Sequence, residues 1–115
     1  MRKMGTYKVI ASGERGIRVR LNKETVDILS GRKLKLYIAK KELIFADDGA
    51  EWKAESLGGI LIGDRKIVAS SGQRFVTIPL ATGGQLGLIK GAFADVFIDG
   101  QDPYVVRVRP AKEGE

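Results

Sequence analysis

The segment Ile17-Arg18-Val19-Arg20-Leu21 alternates apolar and basic residues. As a strand it would turn Arg18 and Arg20 to one face and its three aliphatic side chains to the other. Two guanidiniums held side by side at a surface suit phosphate, because each offers a planar fork of donors, and the same fork fits the O6/N7 edge of guanine. The competing reading is a solvated strand face whose charge serves solubility. The chemistry that is missing narrows the field. The chain has no cysteine and no histidine, which removes disulfides, thiolate zinc sites, cysteine nucleophiles and histidine bases together. Ser70 and Ser71 therefore have no histidine to activate them, and Lys66 is a base only in principle. Gly58-Gly59-Ile60-Leu61-Ile62-Gly63 lacks the Gly-Lys-Ser/Thr ending of a phosphate loop. A carboxylate-only magnesium or calcium site stays open, although nothing has the spacing of a known loop. The expectation is a protein that is not an enzyme, with no catalytic residue, metal, cofactor or small-molecule substrate.

The charge balance points the same way as the arginine pair. Twenty Lys+Arg against 14 Asp+Glu give +6 over 115 residues, with a pI near 9.7. Such a balance favours polyanions, whether DNA, RNA or an anionic membrane surface. A second basic group, Arg32, Lys33 and Lys35 with Lys40 and Lys41, reads best as lysine protection of a sheet edge. Trp52 offers a ring for stacking on a base, but packing in a core or interface is the preferred reading. Tyr37, Phe45, Phe93 and Phe97 read as core, and Phe75, which shares a face with polar Thr77, is left open. No apolar run approaches the roughly 18 residues of a membrane helix. The basic Met1-Arg2-Lys3 is followed by no apolar signal segment, so a cytoplasmic, nucleoid-associated location without a membrane partner is expected.

Positioning these residues requires a β framework, and the sequence describes one twice within a single domain spanning 1–115. With an offset of 59, Val9, Ser12, Gly13, Arg15, Leu21 and Leu29 match Val68, Ser71, Gly72, Arg74, Leu80 and Leu88. With an offset of 60, Gly31 and Ile38 match Gly91 and Ile98. Copy one (7–45) and copy two (66–109) each read strand, turn, strand, short helix, turn, hairpin. In copy one, Asn22 caps a helix that buries Val26 and Leu29 and ends before Gly31. In copy two, Pro79 ends the second strand, and the helix from Leu80 to Leu88 is weakened by Gly83 and Gly84. Segment 46–65 reads as a linker, with Glu51 to Glu55 either a helical turn or an extra strand.

Ser71-Gly72-Gln73-Arg74-Phe75-Val76-Thr77-Ile78-Pro79, followed by Leu86-Gly87-Leu88-Ile89-Lys90-Gly91, resembles the AbrB/SpoVT and MazE pattern. That pattern reads approximately Ser-x-x-Gly-Gln/Arg/Asn, then Val-Thr-Ile-Pro, a short helix, Leu-Gly-Leu/Ile-x-x-Gly-Asp and a hairpin. Copy one has Arg20 where the proline falls, and Ala92 stands where the family has Asp. The resemblance implies a mainly β fold with short helices, a swapped-hairpin β-barrel built here as an intramolecular pseudo-dimer, because one unit alone leaves sheet edges uncovered. It implies binding of double-stranded DNA, as a transcriptional regulator or a chromatin-like architectural protein, and leaves a homo-oligomer open. The family's DNA contacts map to Lys8, Arg15, Arg18 and Arg20 in copy one and to Lys66 and Arg74 in copy two, with Lys23 a further candidate. Copy one carries ten Lys/Arg against four Asp/Glu and copy two five against three, so copy one is expected to dominate the electrostatics. The alternative is an antitoxin-like or assembly protein-interaction module that uses the barrel without DNA. The short tail 110–115 argues against toxin wrapping.

Overall fold

The computed structural model describes residues 1–111. The chain opens with β1 (Arg2–Lys8) and β2 (Ile10–Ala11). The break between them is Val9, whose backbone bonds Ala92 O at 2.7 Å and Gly91 N at 2.9 Å instead of a strand. β3 (Gly16–Leu21) buries Ile17, Val19 and Leu21, as its alternation requires. Asn22 then caps α1 (Lys23–Ile28), its Oδ1 accepting from the Thr25 amide at 2.8 Å and the Thr25 hydroxyl at 2.6 Å. β4 (Lys33–Ile38) and β5 (Leu43–Ala46) form the first hairpin. α2 (Glu51–Ser56) leads into β6 (Ile60–Ser70), β7 (Gln73–Pro79) and α3 (Leu80–Gly84). A second hairpin, β8 (Phe93–Asp99) and β9 (Val105–Pro110), closes the described chain.

All nine strands form one antiparallel sheet in the order β1-β8-β9-β5-β4-β6-β7-β3-β2. Because β1 and β2 are successive pieces of one chain segment, the two ends of that order meet and the sheet nearly closes into a barrel. The hairpins are exchanged between halves. β1 pairs with β8 of the second half, and β6 pairs with β4 of the first. β3 pairs with β7 through the middle of one wall, and β5 with β9 through the other. The fold is thus a swapped-hairpin barrel made by one chain, in which each half covers edges the other leaves bare.

The pairings relate the halves by a pseudo-two-fold axis, at offsets that differ from those read in the sequence. Lys8 pairs with Phe93 where Lys66 pairs with Lys33, and Arg2 with Ile98 where Ile60 pairs with Ile38. The first strand therefore repeats with an offset of 58, and the repeat begins at Ile60, inside the segment read as linker. Both first strands carry a register shift at the same place, beside Gly5 and Gly63, whose φ angles are 156° and 158°. In the second strand, Ala11 pairs with Ile17 as Ala69 pairs with Arg74, an offset of 57. The axis then passes between Val19 and Val76, which pair with each other. A slip of two residues leaves every side chain on its own face, so 59 and 57 preserve the same apolar pattern.

The main core lies inside the barrel and includes Phe45, Leu36, Leu43, Val76 and Val108. A second cluster lies outside, where Ala50, at the N-cap of α2, and Ala54 within it cover Tyr37, Ile44, Ala46 and Val105. The undecided segment around Glu51 is thus a helix with a packing role. Tyr37 and Phe45 are core as expected, but Phe93 is exposed and Phe97 half-buried. Trp52 is 63% exposed on α2, so it does not pack in a core; the helix turns its alanines inward and the indole outward.

Candidate nucleic-acid interface

The wall formed by β2, β3, β7 and β6 presents the arginine pair. Residues facing outward there are Ile10, Arg18, Arg20, Phe75, Thr77 and Val68, as the pairs Ile10–Arg18, Arg18–Thr77, Arg20–Phe75 and Phe75–Val68 require. Arg18 and Arg20 thus share the outer face opposite Ile17, Val19 and Leu21. Arg20 is exposed and Arg18 half-buried. The cause of that difference is the aromatic ring of Phe75. It faces outward yet is only 5% exposed, because the Arg18 guanidinium lies over it at 4.3 Å from the ring centre. Arg20 lies over the Tyr7 ring at 5.6 Å. Each arginine thereby lies over an aromatic ring contributed by another strand.

The remaining sequence-derived residues divide into two groups. Lys8 ends β1 and is exposed on the outer side, paired with exposed Phe93. Lys66 is its pseudo-symmetric counterpart, exposed and one residue before Ile67, the partner of Val76, so it lies beside Thr77. These two lysines flank the arginine pair. Arg74 does not join them. It pairs with Leu21 and continues the inward row of Val76 and Ile78 to the rim of the barrel. Its structural counterpart is Ile17, not Arg15, which explains the mismatch. Arg15 is exposed in the β2–β3 turn, and Lys23 is exposed at the first residue of α1.

Carboxylates do not neutralise this wall. Among the described residues, the ion pairs join Arg2 to Glu24, Lys3 to Asp95, Arg107 to Glu42 and Asp99, and Arg109 to Glu42. None includes Lys8, Arg15, Arg18, Arg20, Lys23, Lys66 or Arg74. Burial pushes the Glu42 carboxyl up, but the guanidiniums of Arg107 and Arg109 outweigh it and hold the group below its ordinary range. Burial likewise pushes Asp95 up, and the Thr6 hydroxyl and Lys3 ammonium prevail. The acids that gain partners do so away from the wall, which leaves its cations unpaired.

One residue that sequence comparison passed over is Arg65. Among the described residues, the buried side-chain nitrogens without a hydrogen-bond partner are Arg18 Nε and Arg65 Nε. A buried donor without an acceptor is costly, and arginines held for structure ordinarily avoid it by pairing. Arg65 lines a groove of about 620 Å³ with Arg15, Glu14, Thr77 and Pro79. Chemically, the wall can bind extended anions through guanidiniums positioned over aromatic rings. It offers no nucleophile–base pair, and the described residues contain no cluster of three metal-ligating side chains. No described helix is long and apolar enough to cross a membrane. Comparison with protein-family models, with curated proteins and with solved structures finds no match to this chain.

Proposed function

We propose that this protein binds double-stranded DNA through the β2–β3–β7–β6 wall, as a transcriptional regulator or a chromatin-like architectural protein in the nucleoid, and that it is a tandem relative of the AbrB/MazE family. The observation that carries the reading is the pair Arg18 and Arg20, laid on Phe75 and Tyr7 with no carboxylate partner among the described residues, while Glu24, Glu42, Asp95 and Asp99 pair with cations elsewhere. The rings restrain the two guanidiniums and lower the entropy lost on binding, which favours a rigid repeating polyanion. Lys8 and Lys66 extend the positive surface to either side. The swapped-hairpin pairing supports the family reading, because the arrangement that the resemblance implies for two chains is met here within one.

The test is a mobility-shift titration on duplex DNA with Arg18→Ala/Arg20→Ala. The double variant should weaken binding at least tenfold and reduce the salt slope by about 2, one per lost phosphate contact. Unchanged affinity would remove the arginine pair from the interface. A protein-interaction module without DNA binding would instead give no shift at any salt concentration.

A further inference from the structure

The wall's two halves look unequal in sequence, since Thr77 and Pro79 stand where copy one was matched to its arginines. The pairing register corrects that comparison. Arg20 corresponds to Thr77 at the second-strand offset of 57, and Tyr7 corresponds to Arg65 at the first-strand offset of 58. In the first half the Arg20 guanidinium lies over Tyr7. In the second half Arg65 stands, like Tyr7, on the inward row of its strand, paired with buried Leu34, and it meets Thr77 in the groove that both line at the edge of the wall. The two elements have exchanged their residue types across the pseudo-two-fold axis. One half carries its cation on β3 over a neutral residue of β1, and the other carries it on β6 beside a neutral residue of β7. A cation therefore stands on each side of the axis through Val19 and Val76, with Lys8 and Lys66 as a second related pair.

From this geometry we infer that Arg65 is a phosphate-binding residue, the functional counterpart of Arg20, and that the wall grips duplex DNA about a dyad, with both halves engaged. This rests on the reading of the wall as a DNA surface. Arg65 has no ion-pair partner among the described residues and a buried, unsatisfied Nε, so no internal acceptor accounts for its placement. Arg15 in the same groove adds charge of the same sign against the single carboxylate of Glu14. Duplex DNA has a local two-fold axis at every step of its backbone, and proteins with two-fold symmetry use matching phosphates on the two strands. A single strand has no such axis and gives the two cations no equivalent sites.

The experiment compares four full-length proteins on a short duplex and on its single strand across a salt series: wild type, Arg20→Ala, Arg65→Ala, and Arg65→Tyr with Thr77→Arg. The last rebuilds the first half's arrangement in the second. Arg20→Ala and Arg65→Ala should each weaken duplex binding about tenfold and lower the salt slope by about 1. The transposed double variant should recover most of the lost duplex affinity, a rescue that a purely structural role for Arg65 does not give. Wild type should bind duplex in preference to the single strand. If Arg20→Ala weakens binding while Arg65→Ala does not, or the transposed variant fails to recover it while melting like wild type, Arg65 is no counterpart and the DNA reading stands alone. If neither arginine matters, the wall is not the DNA surface and both ideas fall.

Discussion

Arg18 and Phe75 occupy corresponding positions in the two halves, yet one is a cation and the other the ring beneath it. Single residues of this barrel therefore act in complementary pairs across the axis. Asp47 is a different case, in which an acidic side chain serves the fold. It is fully buried at the end of β5, and its carboxylate accepts from the Ser30 amide at 2.7 Å, the Ser30 hydroxyl at 2.9 Å and the Asp48 amide at 3.0 Å. It ties the connection after α1 to the first hairpin. Asp47→Ala leaves two amides without acceptors in a part-buried site, so it should destabilise the protein by about 1 kcal/mol. Denaturant melts read this directly, and an unchanged midpoint would mean that those amides find other acceptors. At this scale the outward facing of Arg18 and Arg20 was legible in the sequence, because a period of two fixes a face. Arg74 was misplaced because the same period cannot distinguish a register from one shifted by two residues. Arg65 was missed because its counterpart is a tyrosine, and no comparison of like with like reaches it.

The elements show where local rules gave way to packing. Gly83 and Gly84 weaken a helix by propensity, and α3 is indeed short, ending at Gly84. The two glycines differ in role, however. A Cβ at Gly83 would meet Leu88 O at 2.7 Å and Ile17 Cδ1 at 2.6 Å, whereas one at Gly84 would meet nothing within 4 Å. Gly83→Ala should cost about 1–3 kcal/mol through forced backbone movement. Gly84→Ala should be neutral or stabilise by up to about 1 kcal/mol. Thermal melts of the pair decide between close approach and helix propensity, since equal effects would leave propensity as the sole cause. The hairpins, the Asn22 cap and the strand ending at Pro79 could be anticipated from alternation and turn chemistry. The start of β6 could not. Ile60-Leu61-Ile62 does not alternate, and the bulge beside Gly63 breaks the period that would mark a strand. The polar start of β1, where Arg2 pairs with Glu24 and the Asn22 amide donates to Met4 O at 2.9 Å, has become this exposed aliphatic run in the second half.

Among the described residues, one set of charges holds the fold and another lies unpaired on the wall. The first set includes Glu42 and Asp95, whose carboxyls lie below their ordinary values of 4.5 and 3.8. Groups lowered in this way stabilise the fold fully above those ordinary values and lose the contribution as pH falls through the lowered ones. Stability should therefore decline on acidification below about pH 4.5, and Glu42→Gln should flatten that decline. Melting temperature against pH measures both, and an acid limb unaltered in the variant would assign the loss to other carboxylates. The second set is Lys8, Arg18, Arg20 and Lys66, with half-buried Arg65 in the groove at the edge of the wall. Whether these cations meet phosphate is most directly tested by the wild-type affinity for a short DNA duplex as a function of salt. Log affinity should fall linearly with log salt, with a slope of about −3 or steeper, as counterions are released from several phosphates. A protein that leaves duplex DNA unbound at low salt, or binds it with a slope near zero, would contradict a phosphate-gripping wall.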